Sequence, residues 1–160
     1  LAALAFASPA FAQAAATKIG EHNDWGTYSY QANNGKVCYV LTVPVDRQPA
    51  NLNHGDSGPF FMVSQRPGQT ASYEPQFAAS YDFQANSKVQ VAVGDRSYTM
   101  FTRGSSAWME NAAEGPQLIA AMRAGANMRV QAVSGRGNNT SYTFSLRGIT
   151  AALNSIQNCS

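Results

Sequence analysis

The stretch that decides the fold is NMRVQAVSGRGNNTSYTFSLRG, residues 127–148. Apolar and polar residues alternate on both sides of the central segment GRGNNT, which is rich in glycine and asparagine. Alternation with a period of two predicts strands with one buried face, because successive side chains of a strand point to opposite sides. We therefore predict a pair of strands over 127–134 and 141–148, joined by a turn. The side chains expected to share the buried faces are Met128, Val130, Ala132, Tyr142, Phe144 and Leu146.

The same pattern of strands and turns continues through most of the chain. Short runs of β-branched and aromatic residues alternate with Gly, Pro, Asn and Asp, which is typical of strands separated by turns. Further strands are predicted over 24–31, 36–43, 59–65, 80–84, 88–94 and 96–102. Helices are predicted over 115–125 and 149–158, where apolar residues recur at helical spacing. The expected fold class is mainly β, an antiparallel β-sandwich-like single domain with two short helices.

The first residues, LAALAFASPAFAQ, have the apolar run and small-residue cleavage box of a secretory signal peptide. This run lacks an initiator Met and a basic leader, so we expect the sequence to begin partway through the signal. The run is also shorter than the roughly 20 apolar residues of a membrane-spanning helix. We expect a signal peptide over 1–12, a flexible leader over 13–23 and one domain over 24–160. The mature protein is then periplasmic or secreted, with no transmembrane segment.

The chain contains two cysteines, Cys38 and Cys159. Two lone cysteines in an oxidising compartment usually form a disulfide, so we predict that these two are bonded. The alternative is a pair of separate buried thiols. The formal net charge is only +2 and the basic residues are scattered singly, which gives no electrostatic footprint for nucleic acid.

The stretch HGDSGP, residues 54–59, is similar to the nucleophile motif of serine proteases. A serine nucleophile needs a base within hydrogen-bond reach, and the chain has two histidines, His22 and His54. His54 lies only three residues before Ser57, and His22 lies near the expected leader. The favoured interpretation is a polar loop between strands. A serine hydrolase that uses Ser57 is a remote alternative.

Two other kinds of site, a zinc site and an anion site, have only partial support in the sequence. His22 with Asp24 and His54 with Asp56 could bind zinc only if the two loops converged, so solvated loop residues are favoured and no cofactor is expected. The segment SGRGNNT lacks the lysine of a phosphate-binding loop. Arg136 within that segment could nevertheless hold an anion.

A set of motifs in fixed order carries a family resemblance. In chain order the motifs are FFMVSQRPG (60–68), Glu74, YDF (81–83), VAVGDRSYTMFTRGSSAWM (91–109), LIAAMRAGANMRVQAVSGRG (118–137) and YTFSLRGITAALNSIQNC (142–159). Together they resemble the invasion-associated locus B family of exported proteobacterial proteins, over roughly residues 25–159.

The resemblance implies a β-sandwich-like domain of the periplasm or envelope, with no established enzymatic activity and no catalytic residue. The Ser-x-Arg-Gly pattern of the family matches Ser134, Arg136 and Gly137. The chain departs from the family pattern at Asn138, where threonine is usual, and at Tyr142, where an acidic residue is common. The residues singled out for interaction are Arg66, Pro67, Trp108, Ser134, Arg136 and Gly137.

The function expected from these observations is a non-enzymatic interaction or an accessory role in the cell envelope, with host-cell invasion as a role in pathogens. The partner is an unidentified envelope component or protein, and the oligomeric state is not predicted. The alternative is a periplasmic protein that binds a small ligand or an anion, through Arg136 or through aromatic side chains.

Overall fold

A computed structural model of the chain describes residues 16–56, 58–65 and 72–159. In these residues eleven strands form one antiparallel sheet, accompanied by two α-helices and a short 3-10 helix at Ala112–Glu114. The predicted fold class, mainly β with two short helices, is confirmed. The strands are β1 (Thr17–His22), β2 (Trp25–Ala32), β3 (Gly35–Thr42), β4 (Asp46–Gln48), β5 (Phe60–Gln65), β6 (Tyr73–Ala78), β7 (Lys88–Val93), β8 (Arg96–Arg103), β9 (Ser106–Met109), β10 (Asn127–Val133) and β11 (Asn139–Ser145), and the helices are α1 (Gly115–Ala124) and α2 (Ile149–Ser155).

The sheet is folded on itself, which gives the sandwich-like layering. The strand order across the sheet is β1-β2-β3-β5-β6-β9-β8-β7-β10-β11-β4. Strands that lie far apart in this order nevertheless meet across the core. The rings of Phe61 in β5 and Phe144 in β11 have centroids 5.8 Å apart, and the Trp25 indole in β2 donates a hydrogen bond to the Ser145 carbonyl at 3.0 Å.

The core confirms the predicted faces of the decisive stretch. Residues Asn127 to Val133 pair with Ser145 to Asn139 in continuous antiparallel register. All six side chains predicted to be buried in this pair have at most 4% of their surface exposed. Helix α1 adds one apolar stripe to the same core, and α2 adds another. The buried helical side chains include Leu118, Ile119, Met122, Ile149 and Leu153. Each such side chain contributes about 1.5–3 kcal/mol through burial of apolar surface.

The predicted disulfide between Cys38 and Cys159 is present, with Cα atoms 5.9 Å apart. It joins β3 to the segment after α2 and closes a loop with a sequence separation of 121. Within the described part of the chain, neither helix has the length and hydropathy to cross a bilayer.

The prediction of a flexible leader over 13–23 is wrong for residues 17–22. These residues form β1, an edge strand paired with β2, in which Lys18 lies opposite Tyr28 and His22 opposite Trp25. Most side chains of β1 are exposed, because an edge strand of this sheet buries little of either face. Because few side chains of β1 are buried, its sequence has no apolar alternation from which the strand could be predicted.

Other strands differ from the sequence prediction for local reasons. Residues 80–84 form no strand beyond a single bridge between Phe83 and Ser134. The chain instead forms β6, which the sequence did not predict because Pro75 within the run argues against a strand. Strands β4 and β9 were also missed, since they contain only three and four residues.

Candidate functional site: the polar cleft

The sheet topology brings three separate segments to one end of the molecule. Neighbouring strands are all antiparallel, so β6, β8 and β10 run in the same direction and end on the same side. The segment after β6 and the turn after β10 therefore lie together, and the loop before β5 joins them. These segments line a cleft of about 520 Å³, which we call the polar cleft. Its lining residues are Leu52, Asn53, His54, Gly55, Ser80, Tyr81, Asp82, Ser134, Gly135, Arg136 and Asn138.

The turn between β10 and β11 presents Arg136 at its tip. The Ser134 hydroxyl accepts a hydrogen bond from the Asn138 amide at 3.1 Å, and the Gly137 amide donates to the Ser134 carbonyl at 2.8 Å. Gly137 has φ 84°, a left-handed conformation that favours glycine. Ser134 and Gly137 therefore shape the turn, whereas the side chain of Arg136 is exposed.

The YDF segment is fixed against this turn by backbone hydrogen bonds. The Gly135 amide donates to the Asp82 carbonyl at 2.8 Å, and the Gln84 amide donates to the Val133 carbonyl at 2.9 Å. These bonds hold the Asp82 backbone beside the turn that carries Arg136. The carboxylate of Asp82 is exposed at the cleft.

The loop that contains HGD is anchored by a buried histidine. His54 is only 7% exposed. Its Nε2 lies 2.8 Å from the Pro49 carbonyl, and its Nδ1 lies 2.9 Å from the Tyr142 hydroxyl. A carbonyl can only accept, so Nε2 carries a proton and donates, and in the neutral ring Nδ1 accepts from Tyr142. The bond to Pro49 therefore closes the loop on itself, and the bond to Tyr142 holds the loop against β11.

Two tyrosines and a threonine continue this network beneath the cleft. The Tyr81 hydroxyl lies 2.8 Å from the hydroxyl of Tyr142 and 2.8 Å from that of Thr140. Burial raises the pKa of Tyr142 well above its ordinary value, and the hydrogen bond with Tyr81 raises this pKa further. Tyr142 consequently stays protonated at neutral pH and can donate its one proton to His54, while its oxygen accepts from Tyr81.

The close approach of the loop to the segment after β6 requires glycine at position 55. Gly55 has φ 90°, and a Cβ built there would collide with the side chain of Ser80. A larger residue would therefore be strained in its backbone and would also force the two walls of the cleft apart.

Two charged side chains, Arg136 and Asp82, lie exposed at the cleft. Neither the guanidinium of Arg136 nor the carboxylate of Asp82 has a hydrogen bond or an ion pair among the described residues. One positive group and one negative group are thus available to a bound molecule. Their exposure keeps them hydrated in the free protein, so a ligand must replace water to bind them.

The two histidine motifs do not build a metal centre within the described residues, where no group of three or more His, Cys, Asp or Glu side chains could hold an ion. Asp24 in the β1–β2 turn instead accepts a hydrogen bond from the Ser145 hydroxyl at 2.5 Å. His54, the histidine of the second motif, is committed to the network described above.

The remaining predicted site residues lie elsewhere. Trp108 is on the outer face of β9, where its ring lies 5.7 Å from that of Phe101, and it does not line the polar cleft. Ser57, Arg66, Pro67 and the expected signal peptide over 1–12 lie outside the described residues.

The sequence interpretation missed the network of His54, Tyr81, Thr140 and Tyr142, because it treated residue 54 as part of a solvated loop. The one available signal was the departure from the family pattern at Tyr142. Tyr142 has a hydroxyl where the family pattern has a carboxylate, and this hydroxyl lies at the centre of the network.

The comparisons with known proteins agree with this fold. A family model described as Invasion associated locus B (IalB) protein matches residues 60–157. The chain is similar to the crystal structure of invasion associated protein B from Bartonella henselae, with 14% sequence identity and a TM-score of 0.62, over 86% of this chain and 94% of that chain. No curated protein matches the chain. The structural likeness shows a shared fold, and because the family model matches more than half of the chain, the chain belongs to the invasion associated locus B family.

Proposed function

We propose that the protein is exported to the periplasm or the cell surface and acts there by binding a partner through the polar cleft, without catalysis. The observation that carries this proposal is the convergence of three distant segments on a cleft whose Arg136 and Asp82 side chains have no partners among the described residues. The Cys38–Cys159 disulfide supports export, because such bonds persist in oxidising compartments. Membership of a family of exported proteins supports it as well.

The state of His54 favours binding over hydrolysis. A general base needs a ring nitrogen that is free to take a proton from the nucleophile. Both ring nitrogens of His54 are already engaged, with Pro49 and with Tyr142. The hydrolase alternative is tested by labelling with a serine-directed fluorophosphonate. Labelling that disappears in Ser57→Ala would contradict a purely binding role.

The binding role is tested by capture from envelope extracts with quantitative mass spectrometry. The protein, an Arg136→Ala variant and an Arg96→Ala control are compared. Arg96 is also an exposed arginine, lies at the start of β8 and does not line the cleft. We expect the same partner to be enriched by the unaltered protein and by the control, and to be lost with Arg136→Ala. Equal capture by all three proteins would contradict the assignment of the cleft.

A small anionic ligand is the second candidate, favoured by the size of the cleft and by Arg136. A volume of about 520 Å³ lies within the range of small-molecule sites. A ligand present at 100 times its dissociation constant should stabilise the fold by about 2.7 kcal/mol, which a thermal-shift screen of carboxylates and phosphates would detect. The absence of any shift across that screen would count against this candidate.

A role in host-cell entry is proposed only for pathogens, on the name of the Bartonella henselae protein. This role is tested by comparing host-cell entry among the unmodified parent strain, a deletion strain and the deletion strain complemented with the Arg136→Ala variant. Equal entry by the deletion strain and its unmodified parent would contradict it.

A further inference from the structure

The outer face of the second half of the sheet carries a row of neutral hydrogen-bonding side chains. The register places Thr99 of β8 opposite Gln90 of β7, and Gln90 opposite Gln131 of β10. Gln131 in turn lies opposite Ser141 of β11, and Ser141 opposite Gln48 of β4. Five adjacent strands therefore contribute one polar, uncharged side chain each. We call this set the amide row.

The hydrogen bonds within the amide row leave both donors and acceptors available. Thr99 donates to the Gln90 Oε1 at 3.2 Å, which leaves the Gln90 amide protons free, and Gln131 has no hydrogen bond among the described residues. The Ser141 hydroxyl accepts from Arg129 at 3.2 Å and retains its own proton. Gln48 donates to Asp46 at 3.2 Å and keeps its Oε1 as an acceptor.

All members of the row except Thr99 line a groove that is separate from the polar cleft. The groove has a volume of about 610 Å³, and none of its lining residues also lines the cleft. Neighbouring strands are spaced about 4.7–4.9 Å apart, so hydrogen-bonding groups repeat at that interval across the face. Gln48, Gln90 and Gln131 are all exposed.

An aromatic pair lies next to the groove on the same face, since Phe101 lies opposite the groove residue Lys88. Phe101 lies two residues beyond Thr99 in β8, on the same side of the strand, and is 36% exposed. Its ring stacks obliquely on Trp108, with the centroids 5.7 Å apart and an interplanar angle of 32°. The neighbouring cation Lys88 is paired with Glu110 at 2.6 Å, and the charged side chains Arg129 and Asp46 of the same face hydrogen-bond to Ser141 and Gln48 of the row.

We propose that the amide row binds the N-acetylated glycan strand of the bacterial cell wall. Sugar hydroxyls both donate and accept hydrogen bonds, and an acetamido group offers the same N–H and C=O pair as a glutamine side chain. The apolar face of a pyranose ring matches the ring surfaces of Phe101 and Trp108. A repeating ligand also fits groups that recur at the strand spacing. The choice of the cell-wall source rests on the proposed export, but not on the polar cleft.

The test uses the purified protein with chitotetraose, which has the N-acetylated backbone without peptides, and with purified cell-wall sacculi. Maltotetraose, a sugar chain without acetamido groups, is the ligand control. Variant Gln90→Ala/Gln131→Ala removes two central amides from the outer face. Gln31→Ala is the protein control, because Gln31 is an exposed glutamine on the distant strand β2.

We expect saturable binding of chitotetraose in a calorimetric titration, co-sedimentation with sacculi, and no binding of maltotetraose. The double variant should bind roughly tenfold more weakly, since two hydrogen bonds are lost, while Gln31→Ala should bind normally. In ¹⁵N spectra of the unaltered protein, the side-chain amide signals of Gln90, Gln131 and Gln48 should shift on addition of chitotetraose. This measurement is independent of whether any variant folds.

Four outcomes would overturn the proposal. One is no binding of chitotetraose, and a second is binding of chitotetraose without binding of sacculi, which would exclude the cell-wall source. A third is equal binding by the double variant. The fourth is loss of binding in Arg136→Ala alone, which would move the glycan to the polar cleft. Export is tested separately by cell fractionation, so failure of the glycan site and failure of the proposed location are distinguishable.

Discussion

Reduction of the Cys38–Cys159 disulfide should remove a large part of the stability of the protein. The bond closes a loop with a sequence separation of 121. In the chain-entropy model, a loop of that length restricts the unfolded chain by about 5 kcal/mol at 25 °C. The native contacts around the bond remain after reduction, because α2 packs against β1, β2 and β3 through other residues. Total stabilities of domains are about 5–15 kcal/mol, so the loss is a large fraction of the whole.

The assay is equilibrium unfolding in urea, followed by tryptophan fluorescence, for the oxidised protein and for the protein in dithiothreitol. With a slope of about 2 kcal/mol per molar urea, the midpoint should fall by about 2–3 M. A Cys38→Ala/Cys159→Ala variant serves as a second reduced form in which no bond can re-form. A loss below about 1 kcal/mol in both reduced forms would refute the entropic reasoning, because the cross-link would then not restrict the unfolded chain as the model requires.

Three further perturbations test the packing and the network. Gly55→Ala should lower the free energy of unfolding by about 1–3 kcal/mol, measured by thermal unfolding. The loss should exceed that of the control Gly94→Ala, because Gly94 also has a positive φ but a Cβ added there would have no atom within 4 Å. Equal losses would contradict the close approach of Gly55 to Ser80. Phe144→Ala should cost about 3–5 kcal/mol in urea unfolding, since its buried ring packs in the centre of the core; a loss below about 1 kcal/mol would show that the two halves of the sheet do not meet there. Tyr142→Phe should cost about 1–3 kcal/mol at pH 7, because it leaves buried partners unsatisfied. The pKa of Tyr142 is raised in the folded protein, so above pH 10.0 the unfolded chain loses this proton first. The free energy of unfolding should therefore fall by about 1.4 kcal/mol per pH unit in this range, and the Tyr142→Phe variant should lack this contribution. Equal slopes of unfolding free energy against alkaline pH for the variant and the unaltered protein would contradict the direction of the pKa shift.

The parts of the fold that the sequence predicted are those with strong local patterns. The alternation around Met128 and Phe144 predicted the β10–β11 pair and its buried faces, because each of these strands buries one side only. The helical spacing of apolar residues in α1 likewise predicted a helix with one buried face. In contrast, β1 and β4 lie at the two edges of the sheet. Each is held by backbone hydrogen bonds to one neighbouring strand and buries few side chains, so its sequence has no apolar pattern that predicts a strand.

The candidate site was only partly predictable for a related reason. Arg136 was singled out by a short motif, which is a local property of the chain. The meeting of His54 and Asp82 with that arginine depends on the order of strands across the whole sheet. Hydrogen bonds between residues 88 positions apart, such as that of His54 with Tyr142, leave no spacing in the sequence that could reveal them.

The most direct test of the polar cleft as a binding surface is photo-crosslinking from its rim. A benzophenone amino acid replaces Asn138, which lines the cleft, or Asn34, an exposed residue of the β2–β3 turn. That turn lies at the opposite end of the sheet, because β3 runs in the same direction as β6. Each purified protein is irradiated with envelope extract, and the adducts are identified by mass spectrometry. We predict a single major adduct from position 138 and none from position 34. Equal adducts from both positions, or an adduct from position 34 alone, would contradict binding through the polar cleft.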